Sequence, residues 1–324
     1  MNLMKTTIRS GLILTTIALA LAGCGKTDNT DKASDSGSPA KEPVVVSLGM
    51  LPSIDEIPFV IAHQQGFDTK HGVTFDIETF KSAKDRDAAF QAGKLDAISA
   101  DLVAISIYNQ AGMDVKIAST TIGGFSLLTG NDSIQSVADL KGKSVIFSKN
   151  TSTEYTLSRM LEQAGLTEGD IQATEVPQIP TRLELLKNGK ADAAILPEPF
   201  VTMGKAAGLR VLSSTKDAGV DPFVLGIPQK VLDTKKEAIQ NMYAAYNEAV
   251  DYMKAHDQAD YLDVVIKEVG YPESLKAEIT VPEYPHAVQM EEAQVEAAFS
   301  WAKTKGLLKK DLAPKDVISD AGLK

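Results

Sequence analysis

The sequence holds a single cysteine, Cys24, so it has no second thiol with which to close a disulfide inside the chain. Its four histidines, His63, His71, His256 and His286, lie in different segments without H-x-x-x-H spacing, which argues against a metal centre. Basic residues are outnumbered, 33 Lys and Arg against 43 Asp and Glu, and they form no block that could follow a phosphate backbone. Nucleic acid is thereby excluded as a partner. The stretch "GKSVIF", Gly142 to Phe147, lacks the earlier glycine of a phosphate-binding G-x-x-x-x-G-K-S/T loop. Aromatics are only 6% of the chain while aliphatic residues are plentiful, a balance that suits a globular α/β protein. No apolar run beyond the first two dozen residues is long enough to span a bilayer.

What is present begins at the N-terminus. Lys5 and Arg9 flank an apolar run from Gly11 to Ala20, shorter than the roughly 20 residues a membrane-spanning helix needs. A basic start and a short apolar core suit an export signal, expected over residues 1–23. Leu21-Ala22-Gly23-Cys24 resembles the lipobox of bacterial lipoproteins. That resemblance implies that Cys24 becomes the mature N-terminus and carries acyl chains of the palmitate type, with two or more chains giving a durable hold on a membrane. The rest of 24–43 offers no large apolar side chain to offset the entropy of ordering, and is expected to be a flexible tether.

From Val44 onward, strands alternate with helices. "VVVSLGM" reads as a strand, "IPFVIAHQQGF" as a helix, "VTFDIETF" as a strand, "KDRDAAFQAGK" as a helix ended by Gly93, and "LDAISA" as a buried strand. The rhythm restarts at "SVIF", with a helix from about Ser152 to Gly165, a helix in "PTRLELLKNGK" with Thr181 as its N-cap, and a strand in "ADAAIL". Two phrases match: "GKLDAISAD" from Gly93 and "GKADAAILPEP" from Gly189. Each glycine can supply the left-handed turn that closes a helix, the Lys and Asp are expected in solvated connections, and the alanines make a strand thin enough to be covered on both faces. An acid follows each strand, Asp101 and Glu198, at the end where open α/β sheets bind ligands. Beyond Leu212, a strand in "VDPFVLGIP" precedes helices at 230–256, 261–269 and 290–305, and "PEYPHA" reads as a surface loop. The expected fold is α/β, two similar lobes with mixed, mostly parallel sheets joined by a two-strand hinge. Lobe 1 takes 44–122 and 224–324, and lobe 2 takes 123–223.

Several stretches together resemble the solute-binding proteins of ABC transporters, in the branch for nitrate, aliphatic sulfonates, taurine and thiamine precursors. They are "IPFVIAHQQGFDTKHGV", "FQAGKLDAISAD", "LKGKSVIFSKNTSTEYTLSRML", "LLKNGKADAAILPEP" and "FSWAKTKGLL", and they extend over nearly all of Val44 to Lys324. The resemblance implies a periplasmic binding protein fold of type II that closes over a small-molecule solute outside the cytoplasm. It implies a monomer that delivers the solute to a permease with its ATPase, and it carries no catalytic residue, metal or cofactor. On the first lobe, Met50, Leu51, Pro52 and Ser53 would form a wall beside Asp101. On the second, Asn150, Thr151, Ser152 and Thr153 would open a helix whose N–H groups and hydroxyls can receive an anion, with Glu198 facing the same space.

Two carboxylates in a closed cleft favour an amine- or pyrimidine-bearing solute over a bare sulfonate or nitrate, unless Arg182 pairs with one of them. Other readings use the same lobes. A cytosolic-type enzyme resembling chorismate dehydratases would use a cleft carboxylate as base, and export argues against it; a sensory or adhesive surface lipoprotein would need an apolar patch, which no segment marks. The thiamine-pyrimidine synthases of this fold carry a cysteine-rich motif that this chain lacks.

Overall fold

The strands are β1 (Val44–Met50), β2 (Val73–Thr79), β3 (Ala97–Asp101), β4 (Val115–Thr120), β5 (Phe125–Thr129), β6 (Ser144–Phe147), β7 (Gln172–Glu175), β8 (Ala193–Pro197), β9 (Arg210–Ser214) and β10 (Phe223–Pro228). They belong to a computed structural model that describes residues 42–323; the export signal, Cys24 and the tether as far as residue 41 lie outside the described residues. Two separate five-stranded sheets form, in the orders β2-β1-β3-β10-β4 and β7-β6-β8-β5-β9.

The sheets share one plan. In the first, β1 runs parallel to β2 and β3 while β10 is antiparallel to β3 and β4. In the second, β6 runs parallel to β7 and β8 while β5 is antiparallel to β8 and β9. The reversed strand in each sheet is the one that arrives from the other sheet. Strands of a βαβ series all end on one side, and a chain crossing over on that side must start there and run the opposite way. The crossings are 121–124 and 215–222, and they meet tightly. A Cβ on Gly123 would stand 2.4 Å from the Phe223 ring, which itself packs on Phe125 with centroids 4.9 Å apart.

Burial follows the sequence pattern. Val46, Leu48, Ile57, Phe59, Met242 and Tyr246 form the core beneath β1, and Leu128, Ile146, Leu183 and Leu196 that beneath the second sheet. A third apolar cluster includes Ile105, Leu157 and Phe299, from helices Leu102–Gln110, Ser152–Gln163 and Glu292–Thr304, and so ties the lobes together along one flank. Another contact between the lobes is polar and sparse. Ile179 donates its N–H to the Lys81 carbonyl at 3.3 Å, and Gln178 Nε2 donates to Asp85 Oδ2 at 2.8 Å. Separating apolar surface costs about 25 cal/mol per Å², whereas exposed hydrogen bonds exchange for water at little net cost, so the lobes part more easily at 81–85 than at the third cluster.

Local details differ from the expectation in three places. The helix expected to start at Thr181 is Ile179–Lys187, with Gln178 at its N-cap and Pro180 in its first turn, where the missing N–H of proline has no partner to lose. The long helix near the C-terminal third is two, Gln229–Thr234 and Lys236–Ala255. Strand β9 spans Leu212, the point at which the sequence pattern of alternating strands and helices changes.

Candidate functional site

The doubled phrase builds the same device in each lobe. Gly93 and Gly189 close their helices with φ of 71° and 62°. The aspartates are not solvated connectors, as expected from sequence, but half-buried locks. Asp96 Oδ2 accepts from the Ser47 N–H and hydroxyl at 3.0 and 3.1 Å, and Asp192 Oδ2 accepts from the same groups of Ser144 at 2.9 Å each. Each lock ties the turn before β3 or β8 to the parallel neighbour of that strand, β1 or β6, so both strands end at a fixed height over the cleft.

One constant offset relates Gly93 to Gly189 and Asp96 to Asp192, and it also relates Arg86 to Arg182. Each arginine lies on the helix before its strand, in Ala83–Gln91 and Ile179–Lys187, and each is 2% exposed. Each sends a guanidinium nitrogen to an equivalent strand carbonyl. Arg86 Nη1 donates to Ser99, and Arg182 Nη1 donates to Ile195 at 2.6 Å.

The cleft between the sheets encloses about 580 Å³ of empty space, part of it continuous with solvent. Lobe 1 contributes Leu51, Ser53, Asp55, Arg86, Ser99 and Asp101. Lobe 2 contributes Ser148, Thr151, Thr153, Ile179, Arg182 and Pro197, and Phe125 and Phe223, the first residues of β5 and β10, close it beside the crossings. The walls are mainly apolar with a few buried charges, the usual makeup of a small-molecule pocket.

Those charges are unequally satisfied. Arg86 gives Nε and Nη2 to Asp87 Oδ1 at 3.0 and 2.7 Å, and Tyr108 donates its hydroxyl to the same oxygen at 2.5 Å. Burial lowers the affinity of Arg86 for its proton, but Asp87, Tyr108 and Asp101 more than reverse that and hold it above the ordinary arginine value. Arg182 has no carboxylate partner among the described residues, its Nε has no hydrogen-bond acceptor, and burial alone pulls its pKa down to about 10. Asp55 is 6% exposed, its Oδ1 lacks a donor, and burial pushes the carboxyl up to about 6 against the moderating Ser53, Arg86 and Ser99. Its neighbour Glu56 accepts from the Thr79 hydroxyl at 3.1 Å but leaves Oε1 unpaired; burial, then the nearby Asp55, raise it well above the carboxylate range.

The expected residues are distributed as follows. Leu51 and Ser53 line the cleft, whereas Met50 is fully buried in the core behind them and Pro52 is half-buried outside the lining. Asp101 lines the cleft and caps the next helix by accepting from the Ala104 N–H at 2.8 Å. Burial raises its carboxyl, moderated by Ala104, Arg86 and the Ser152 hydroxyl and N–H across the cleft. Thr151 and Thr153 also line it, but both hydroxyls donate inward to the Ser148 carbonyl at 2.9 Å. The Thr153 N–H is taken by the Thr151 hydroxyl at 3.2 Å, so this helix start has spent much of the donor capacity expected of it. Ser152 is buried, and Asn150 is exposed with φ of 56° and its N–H on Glu154.

Glu198 does not line the cleft; its Oε2 accepts from the Thr202 N–H at 3.0 Å, across a cis peptide to Pro199. The constant offset matches Asp101 with Pro197, one residue earlier, and a shift of one in a strand turns a side chain to the opposite face. Tyr284, in the segment taken for a surface loop, is buried and donates to the Ile54 carbonyl at 2.7 Å. Sequence reading missed Asp55 and Arg86 and saw Arg182 only as a partner for a carboxylate; extending the doubled phrase backward by the same offset would have found both arginines.

Among the described residues, no group of three potential ligands could hold a metal ion, and no helix is long and apolar enough to cross a membrane. Comparison with known proteins gives four findings. An Escherichia coli (strain K12) protein named as an aliphatic sulfonates-binding protein is 28% identical over 172 residues, a match spanning about half of each chain, 53%. A Brachyspira hyodysenteriae protein named as an ABC transporter periplasmic binding protein is 22% identical over 273 residues, 78% of this chain and 76% of its own. The crystal structure of the periplasmic aliphatic sulphonate binding protein SsuA from Escherichia coli superposes with a TM-score of 0.72 at 21% identity, covering 86% of this chain and 92% of that one, and so shares the fold. The family model described as NMT1/THI5 like matches residues 53–260, most of the length of the two lobes, and the chain belongs to that family.

Proposed function

We propose that the protein is the solute-binding component of an ABC importer, held outside the cell membrane by a lipidated Cys24, and that its lobes close over a small solute bearing an anionic group for delivery to a permease and its ATPase. The names of its relatives support the transport role. Arg182 carries the choice of solute. An ionised guanidinium buried without a counter-charge costs several kcal/mol, and an anionic ligand is the group that removes that cost. The sulfonate in the name of the Escherichia coli relative is an anion of suitable size. The preference for an amine or pyrimidine that Asp101 and Glu198 suggested loses its footing, since Asp101 caps a helix and Glu198 lies outside the lining.

A solute touching both walls binds the closed form better than the open one, and that difference drives closure. Calorimetry with ethanesulfonate, nitrate and small carboxylates tests the reading. Arg182→Met is expected to weaken the acidic solutes that bind by about 100-fold, about 2.8 kcal/mol, with the fold intact. Unchanged affinity in that variant overturns the anionic reading, and a bound solute that produces no compaction in small-angle scattering overturns closure. For the anchor, Cys24→Ser is expected to move the protein from the membrane fraction to the soluble one; retention in the membrane removes Cys24 from that role.

A further inference from the structure

Arg182 accounts for one pole of the cleft and leaves the other without a task. Asp55 stands on the lobe 1 wall, nine-tenths buried, with Oδ1 lacking any donor. The Ser53 and Ser99 hydroxyls lie close enough to moderate the carboxyl, yet none of the described residues donates a hydrogen bond to Oδ1. Arg86, the nearest cation, spends its nitrogens on Asp87 and the Ser99 carbonyl and makes no salt bridge to Asp55. Tyr284, packed behind, gives its hydroxyl to Ile54. A buried acceptor without a donor is a free-energy penalty, and a ligand donor removes it.

Resting on the reading of this cleft as an anion-binding solute site, we infer that Asp55 is a specificity-determining residue that receives a cationic or N–H donor end of the solute. The preferred ligand is then a small molecule with two poles, its acid on Arg182 in lobe 2 and its donor on Asp55 in lobe 1. Leu51, Phe125, Ile179 and Phe223 line the same space and suit a short apolar link between the poles. Such a ligand is read by one charge from each lobe. A site built around a buried polar group rejects the analogue that lacks its partner far more strongly than an apolar wall rejects a missing methylene.

Matched pairs of probes test this: 2-aminoethanesulfonate against ethanesulfonate, and 3-aminopropanoate against propanoate, titrated calorimetrically at pH 7.5. The amino member of at least one pair is expected to bind at least tenfold more tightly. Asp55→Asn should bring the members within about twofold of each other, while Glu56→Gln, one residue away but outside the lining, should keep the preference. Lowering the pH through about 6 should weaken the amino member alone as Asp55 takes a proton; the other titratable groups facing Asp55 are Glu56, Arg86, Tyr246 and Tyr284, burial raises Glu56 and both tyrosines, and the same pH series in Glu56→Gln, where the weakening should persist, separates Asp55 from Glu56. Equal binding within both pairs, or a preference that survives Asp55→Asn, overturns the role of Asp55 and leaves the anionic reading standing. Desamino acids that bind Arg182→Met as well as the parent overturn the anionic reading, and binding by no member of either pair overturns both.

Discussion

Arg86 and Arg182 occupy the same place in two similar lobes, and the residue after each separates their fates. Asp87 follows Arg86 and neutralises it while accepting the Tyr108 hydroxyl, whereas Leu183 follows Arg182 and packs into the core of its lobe. Where lobe 1 has the acids Asp87 and Asp101, lobe 2 has Leu183 and Pro197 at the matching places, and these changes turn a guanidinium from part of the frame into an unmet charge beside the cleft. Buried charge is therefore a poor guide to function by itself; what distinguishes the two is whether the fold has already supplied the counter-charge.

The strongest way to break this comparison is to make the same change in both lobes. Arg86→Met leaves Asp87 without its cation and the Ser99 carbonyl without its donor. Removing one partner of a buried pair costs about 3–5 kcal/mol, and Asp87, a quarter exposed, places the expected loss near 3. Arg182→Met also removes the donor to the Ile195 carbonyl, but it strands no partner charge and takes away an unpaired buried one, so the solute-free protein is expected to be about as stable as the parent. Urea unfolding of both variants without solute decides it: equal losses would mean that the lobes do not differ in this respect.

The aspartate locks sharpen the comparison at a smaller scale. Asp192 completes its set with Asn131 Nδ2 at 2.9 Å, while Asp96 uses Lys235 Nζ at 2.7 Å. Each →Ala change is expected to cost about 1–2 kcal/mol at neutral pH. Salt should reduce the cost of Asp96→Ala, which loses an ion pair, more than that of Asp192→Ala. Burial raises the Asp192 carboxyl, but the Ser144 N–H, Asn131 and the Ser144 hydroxyl outweigh it and leave the net value below 3.8. A lowered carboxylate contributes stability that is present above its unfolded value and lost as pH falls through the folded one. The gap between parent and Asp192→Ala should therefore close in acid below about pH 4; a gap that persists there would show that packing, not the carboxylate, holds the turn.

Much of the fold was legible because local signals agreed with one another. Glycines ended helices, alternating apolar residues made strands, and the doubled phrase announced two lobes. The site was less legible for a physical reason. Asp55, following Ser53 and Ile54, reads as an exposed turn residue, and only the chain packed over it makes it buried. Thr151 and Thr153 read as donors to a ligand, but their hydroxyls turn inward to Ser148, and no sequence pattern records which way a hydroxyl rotates. The satisfaction of a polar group depends on residues far away in the chain, whereas a helix end depends on its neighbours.

Glu198 tests the smallest difference between the lobes. Its carboxylate faces the Thr202 N–H and lies near Tyr271, whose hydroxyl is raised by burial and further by Glu198, so its surroundings are set by lobe structure and not by the cleft. An amide oxygen can accept from the same N–H, and Glu198→Gln is expected to change solute affinity by less than twofold in calorimetry. A tenfold loss would require that the side chain swings into the cleft when solute arrives. The one-residue offset between Asp101 and Glu198 would then describe only the empty protein, and the second lobe would hold a charge of each sign over the ligand in place of Arg182 alone.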